Sequence, residues 1–138
     1  MATQYTGSCL CGGVNYTLAG EFRSFYLCYC HRCQKGTGSA HAANLFAPSA
    51  VLTWTRGEED VKTYRHANTL HARSFCRHCG SALPVVAEHI DCVVVPAGSL
   101  DSPVPIAPTA RIFLGSGAPW AIKLTDIPAY QHLPECPS

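Results

Sequence analysis

The sequence has little charge and no long apolar run, and these two shortages exclude several classes of protein. Charged residues make up 14% of the chain, and ten basic against nine acidic side chains leave a formal net charge of +1. A nearly neutral chain lacks the basic surface that nucleic-acid-binding domains use against phosphate. No apolar run reaches membrane-spanning length, and residues 1–6 lack the basic and apolar pattern of a signal peptide. We therefore predict a cytoplasmic protein that binds neither nucleic acid nor a membrane.

Helical patterns are also scarce, because no stretch of useful length shows the apolar period of an amphipathic helix. Short segments with alternating apolar residues, or rich in β-branched and aromatic residues, predict strands instead. The predicted strands are residues 14–18, 22–27, 40–47, 51–55, 61–64, 70–75, 82–87, 92–95 and 111–114. Residues 34–39 are predicted to form a polar glycine turn, and prolines exclude regular structure from 96 to 108. The sequence thus predicts one all-β domain over residues 1–138.

Cysteine, by contrast, is abundant, with nine residues in the chain. The number is odd, no export pattern is present, and seven of the nine lie in C-x-C or C-x-x-C groups. Such groups favour reduced, metal-binding thiols over disulfides. Of the other two, Cys92 is predicted to be a small buried apolar residue and Cys136 an exposed thiol without a role.

Cys28, Cys30 and Cys33 place three thiols within six residues, and this triplet is the central feature of the sequence. A structural zinc usually has four protein ligands, whereas a catalytic zinc keeps three and leaves one position open. A distant cysteine or histidine that closes the site is the simpler interpretation. An open three-thiol site is the alternative.

Two further pairs of thiols, Cys9/Cys11 and Cys76/Cys79, are each followed by glycine. Spacing alone also allows the last two thiols of the triplet to form a four-thiol site with Cys76/Cys79. We prefer to combine the two pairs, because both end in Cys-Gly and four thiolates complete a tetrahedral zinc site. Such a site would connect the N-terminal region to the middle of the chain and stabilise the fold. It would leave the triplet with an ion of its own.

Together these motifs resemble the glutathione-dependent formaldehyde-activating enzyme family, which has an Mss4-like fold and includes centromere protein V. The matching segments extend over nearly the whole chain: Gly7-Ser8-Cys9-Leu10-Cys11-Gly12, the triplet followed by Gly38-Ser39, Phe75-Cys76-Arg77-His78-Cys79-Gly80, Ala97-Gly98-Ser99-Leu100-Asp101 and Ala118-Pro119-Trp120. Two positions depart from the family pattern, because Tyr29 and Arg111 stand where relatives often carry His.

The resemblance implies a fold of short antiparallel sheets and two Zn²⁺ ions per chain. The structural zinc would be held by four thiolates, and the catalytic, substrate-facing zinc by the other three: Cys9, Cys11, Cys76 and Cys79 for the first, and Cys28, Cys30 and Cys33 for the second. The implied activity is that of a carbon–sulfur lyase that adds a glutathione-like thiol to an aldehyde such as formaldehyde. Arg32, Lys35 and Arg111 are candidates to receive a carboxylate, and the carboxylates of glutathione would favour the rim that carries Arg32 and Lys35. The alternative is a non-catalytic zinc-binding interaction module, with a closed or empty triplet and an exposed apolar patch.

The histidines and tryptophans carry weaker signals. His31 and His78 lie within the cysteine motifs, where an exposed turn position explains them equally well. His41 is singled out because it follows the glycine-serine turn, and the other four histidines are interpreted as ordinary surface or strand residues. Trp54 and Trp120 are predicted to belong to the core.

Overall fold

The structure, a computed structural model, describes residues 3–121 and 123–134. Eleven strands and one α-helix occur in these ranges: β1 (Gln4–Ser8), β2 (Asn15–Ala19), β3 (Ser24–Cys28), α1 (His31–Thr37), β4 (Ala42–Pro48), β5 (Val51–Arg56), β6 (Val61–Arg65), β7 (Ala72–Cys76), β8 (Ala82–Leu83), β9 (Val85–Ala87), β10 (Cys92–Pro96) and β11 (Ala110–Ile112). Short 3-10 turns connect several of them. No helix in these ranges is long and apolar enough to cross a membrane.

The strands form three small sheets, so the prediction of an all-β fold of short sheets is confirmed. Their orders are β1-β2-β5, β11-β3-β4-β10-β9 and β6-β7-β8. Neighbouring strands pair antiparallel, except that β11 runs parallel to β3. That one parallel pair brings the C-terminal region beside Cys28 at the end of β3, because Ile112 lies opposite Cys28.

The core forms where the buried sides of these strands meet. Successive side chains of a strand point to opposite faces, so burial alternates along β1 and β2. Tyr16 of β2 is buried, its ring meets Trp54 edge-on at a centroid distance of 5.9 Å, and its hydroxyl bonds Ser99 at 2.6 Å. Trp54 thus packs against the core, whereas Trp120 is 63% exposed. The core prediction for Trp120 is wrong because its segment lies beyond the last strand, in a surface 3-10 turn.

Other local predictions also need correction. The predicted turn at residues 34–39 is mostly helix, because α1 continues to Thr37 and ends at Gly38 in the left-handed conformation. The predicted strand at 82–87 is two strands separated by Pro84, which has no N–H to donate to a sheet ladder. The last predicted strand ends at Ile112, since Phe113 takes a positive φ of 56°. β1 was not predicted, and a 3-10 turn at Ala97–Ser99 interrupts the region that prolines were expected to keep irregular.

Gly57→Ala is expected to destabilise the fold by about 3 kcal/mol, because the position allows no side chain. Gly57 has a φ of 74°, and an added Cβ would overlap the carbonyl group of Gly13, two residues after Cys11. Gly38→Ala is the matched control, with a φ of 68° and no heavy atom near the added Cβ. We expect that control to cost about 1 kcal/mol. Urea unfolding of the metal-loaded proteins measures both, and equal losses would show that the contact with Gly13 contributes nothing.

Candidate metal centres

The structure brings together the two cysteine pairs that the sequence favoured as one site. Cys9 and Cys11 lie in the loop after β1, Cys76 ends β7, and Cys79 lies in the following turn. All four Sγ atoms lie within 4.8 Å of one another. The Sγ atoms of Cys9 and Cys11 are 3.5 Å apart, and those of Cys11 and Cys76 are 3.9 Å apart. Two sulfurs bound to one tetrahedral zinc, each at about 2.3 Å, would be about 3.8 Å apart, so the donors and their spacing fit zinc.

Hydrogen bonds around the four-cysteine cluster stabilise thiolates. The backbone N–H of Val14 donates to Cys9 Sγ at 3.3 Å, and that of His78 donates to Cys76 Sγ at 3.4 Å. The Ser81 hydroxyl lies 3.2 Å from Cys79 Sγ and, with the backbone N–H of Cys11 as the next cause, lowers the pKa of Cys79 to about 5. Deprotonated sulfur is the form that binds metal, so this environment suits a metal ligand.

An ion pair outside the cluster holds its second loop in place. Arg77 Nε donates to Asp60 Oδ1 at 2.8 Å, and His78 Nε2 lies 3.1 Å from the same oxygen. Burial opposes ionisation of Asp60, but the hydrogen bond from Arg77 and the charge of His78 lower the pKa of this carboxyl. The backbone N–H of Arg77 also donates to the Asp60 carbonyl at 2.9 Å. His78 is therefore explained by its contact with Asp60 rather than by a role as a metal ligand.

The triplet forms where β3 ends and α1 begins. Cys28 is the last residue of β3, Cys30 is the N-cap of α1, and Cys33 lies in its first turn. The Cys30 sulfur accepts the backbone N–H of Cys33 at 3.4 Å. The three Sγ atoms lie within 4.8 Å of one another, and no other Cys, His, Asp or Glu of the described ranges belongs to this group. Within residues 3–121 and 123–134, the cluster therefore offers three ligands and no fourth.

Without a cation, the three thiols of this arrangement do not ionise together, because the pKa of one is lowered and those of the other two are raised. Burial, and then Cys28 and Cys30, raise the pKa of Cys33. Burial likewise raises the pKa of Cys28. The pKa of Cys30 is lowered although burial opposes this, because the N–H of Cys33 stabilises its thiolate. A divalent cation among the three sulfurs would stabilise all three as thiolates, as a metal site requires.

The triplet is accessible from a pocket of about 500 Å³. Cys28 is 8% exposed, whereas Cys30 and Cys33 are only partly buried. The rest of the pocket wall comes from α1, from β4, from the turn before β7 and from the C-terminal region, with Arg32, Asn44, Phe46, His71, Phe113 and Ser116 among its residues. Of these, Asn44, Phe46, His71, Phe113 and Ser116 were not proposed from the sequence, although Arg32 was.

Comparison with known proteins agrees with this geometry. The family model of the glutathione-dependent formaldehyde-activating enzyme matches residues 4–116. The chain belongs to this family. A crystal structure of a Rhodobacter sphaeroides protein shares the fold at a TM-score of 0.60 and 21% identity, over 77% of this chain and 98% of that one. A search of curated proteins returns no significant match. The resemblance identified from the sequence motifs is confirmed.

The two departures from the family pattern differ in burial. Tyr29, between Cys28 and Cys30, is 7% exposed, and its ring centroid is 5.1 Å from that of His41. Arg111 is exposed on β11. Tyr29 thus belongs to the packing beneath the site, where the Nδ1 atom of His41 is buried without a hydrogen-bond partner among the described residues.

A side-chain amide fixes the loop of the triplet to the C-terminal region. Gln34 of α1 donates from Nε2 to the carbonyl of Tyr29 at 2.8 Å and to the carbonyl of Ser116 at 3.0 Å. The backbone N–H of Tyr29 donates to the Ile112 carbonyl at 2.9 Å. These bonds hold the wall that carries Phe113 in position beside the cysteines.

The predictions for the two cysteines outside the clusters, Cys92 and Cys136, differ in whether the structure describes the residue. Cys92 is 5% exposed within β10, as a small buried apolar residue should be. Cys136 lies outside the described residues.

Proposed function

We propose that this chain is a zinc-dependent enzyme of the carbon–sulfur lyase type. It binds a small, glutathione-like thiol at the Cys28/Cys30/Cys33 centre and adds the thiol to an aldehyde such as formaldehyde. The observation that carries this proposal is a three-thiol cluster without a fourth ligand in the described ranges, open to a pocket of about 500 Å³. Family membership supports the choice of thiol and aldehyde.

Two zinc ions per chain fit the two clusters, with different tasks. The four-cysteine cluster completes its own coordination and would hold a structural ion. Zinc at the triplet would supply a Lewis-acidic position at which a thiol is held as thiolate at neutral pH. Cys28, Cys30 and Cys33 would be its ligands, and the fold positions them with a strand end and a helix start.

The proposed reaction needs no oxidant or reductant. The thiol sulfur forms a bond to the aldehyde carbon, the carbon–oxygen double bond becomes single, and the thiol proton passes to the oxygen. Phe46 and Phe113 give the pocket apolar walls, and the side-chain amide of Asn44 can donate a hydrogen bond to the aldehyde oxygen. The product is an S-hydroxyalkyl thiol.

Cobalt substitution tests thiol binding directly. Titration of the cobalt-loaded protein with glutathione is expected to give a saturable change in thiolate-to-cobalt absorption, because a new sulfur ligand enters the triplet centre. Cys33→Ser should abolish the change, whereas Cys92→Ser, at a buried thiol outside both clusters, should retain it. An unchanged spectrum at millimolar glutathione would contradict the proposal. Turnover is measured separately, as formaldehyde loss above the uncatalysed rate with free thiol.

The interaction module is the second candidate, and one observation favours it. Several large apolar side chains of the C-terminal region are exposed, namely Phe113, Leu114, Trp120, Leu124, Ile127, Tyr130 and Leu133. Exposed apolar surface of this kind is typical of docking sites. An unchanged cobalt spectrum would favour this candidate over the enzyme.

The proposed setting is the cytoplasm, with no nucleic acid as partner. Both cysteine clusters need reduced thiols, and a reducing compartment maintains them. The nearly balanced charge of the chain offers no basis for binding to phosphate backbones.

A further inference from the structure

A second pocket, of about 450 Å³, lies beside the triplet and is lined by basic residues. Its charged side chains are Arg32, Lys35 and Arg73, and no acidic residue contributes to the wall. The remaining wall residues are His31, Gly36, Tyr64, His66 and His71. We call this the basic pocket.

Two elements that are far apart in the sequence build the basic pocket. Arg32 and Lys35 lie three positions apart on α1, so they share one face of the helix. Arg73 comes from β7 and lies against the same helix. A Cβ added at Gly36 would be 3.3 Å from Arg73 Nε and 3.4 Å from its Cδ. The absence of a side chain at Gly36 therefore allows the Arg73 guanidinium to approach α1.

The three cations of this pocket have no acidic partner in the described part of the chain. Both ion pairs formed there use Asp60, with Arg77 and His78. Arg73 is partly buried, and its side chain makes no hydrogen bond to a described residue. Arg32 and Lys35 are exposed, so only Arg73 is partly withdrawn from water. Because like charges repel one another, an anion bound among the three would be stabilised.

The charge of the pocket also affects a neighbouring histidine. Burial first, and then the charges of Arg32, His66 and Arg73, lower the pKa of His71. The positive groups of α1, of β7 and of the turn before β7 therefore all line the basic pocket, which also contains His71.

A smaller cavity shares wall residues with the triplet and with the basic pocket. Its volume is about 110 Å³, and its wall includes Cys33, Arg32, Gly36 and Arg73. Cys33 and Arg73 thus face one cavity from opposite elements. This shared wall is the geometric reason to expect a ligand that meets the triplet with its sulfur and the basic pocket with another group.

We propose that Arg32, Lys35 and Arg73 form an anion subsite that selects thiols with a distal carboxylate, with Arg73 as a specificity-determining residue. Arginine and lysine together match a carboxylate in charge and in hydrogen-bond donors. This inference rests on the proposed function, since it concerns the thiol that the triplet binds. It adds to the sequence analysis a cation from β7 that the cysteine motifs do not contain.

The test compares glutathione with glutathione diethyl ester, which keeps the thiol but has no free carboxylate. Each is titrated into the cobalt-loaded protein, and the dissociation constant is taken from the change in absorption. Glutathione should bind at least about tenfold more tightly than the ester, and Arg73→Gln should weaken glutathione binding about tenfold while leaving the ester unchanged. Arg56→Gln is the matched control, since Arg56 is exposed on β5 and lines none of these pockets. It should change neither constant.

The outcomes separate this inference from the function on which it rests. Equal affinity for both thiols, or equal losses of both in Arg73→Gln, would overturn the anion subsite and leave thiol binding intact. Absence of binding by either thiol would overturn the proposed function and the subsite with it. Near-UV circular dichroism and metal content check the fold of each variant. If Arg73→Gln does not fold, Lys35→Gln with Lys62→Gln as control gives the same comparison, because Lys62 is exposed on β6 outside these pockets.

Discussion

Cys76→Ser is expected to abolish cooperative unfolding of this protein. Cys76 is completely buried at the end of β7, and its sulfur belongs to the four-cysteine cluster. A structural zinc contributes on the order of 10 kcal/mol to folding, which is comparable to the whole stability of a domain, about 5–15 kcal/mol. Loss of one thiolate ligand should remove most of that contribution. Thermal scans by near-UV circular dichroism, with metal content per chain, measure the result.

The control for this substitution is Cys92→Ser, which changes a buried thiol that belongs to neither cluster. It should cost about 1–3 kcal/mol for the buried hydroxyl and retain all bound metal. If Cys76→Ser lost no more stability than this control, the four-cysteine cluster would not be a structural site.

Cys33→Ser is expected to behave in the opposite way, with the fold retained and one metal lost. Cys33 lies in α1, which has no buried residue among its seven, so the helix contributes little to the core. The free energy of unfolding should fall by about 1 kcal/mol or less, as for most partly exposed positions. Metal content should fall by one ion per chain, and glutathione should no longer change the cobalt spectrum. Competition with a chromogenic chelator during urea unfolding measures both quantities in one sample.

The comparison of the Cys33→Ser and Cys76→Ser variants decides whether the triplet has a structural or a catalytic role. If Cys33→Ser destabilised the protein as severely as Cys76→Ser, the triplet would be structural. The proposal of catalysis would then be abandoned, whatever the affinity for thiols.

Most strands were predictable because their signal is local, although β1 was missed. Alternation of buried and exposed residues along β2 is visible in the sequence itself, and the structure shows the same alternation. The helix α1 was not predictable by the same means, since seven residues make only about two turns. Its N-cap is Cys30, and a thiol is not among the side chains that normally indicate a helix start.

The candidate site shows the same difference between features with a local sequence signal and features that depend on packing between distant segments. Spacing within a motif indicated that its thiols lie close together, but it left open which motifs share an ion; the preference for joining Cys9/Cys11 with Cys76/Cys79 came from their common Cys-Gly ending. Arg73 and His71 gave no such signal, since they approach the triplet only through the packing of the β6-β7-β8 sheet region against α1. Phe113 reaches the pocket through the parallel pairing of β11 with β3, which no local pattern in the sequence indicates.

The hydrogen bond from Gln34 to the carbonyl of Ser116 joins residues 82 positions apart. This separation has a consequence for the order in which the two cysteine sites can assemble during translation. The four cysteines of the first cluster, and Ser81 beside Cys79, are all translated well before the C-terminal region, so this cluster is expected to assemble earlier. The wall with Phe113 can join the triplet only after β11 has left the ribosome and paired with β3. We therefore expect a nascent chain to assemble the four-cysteine cluster first, and to complete the pocket beside the triplet only near the end of translation.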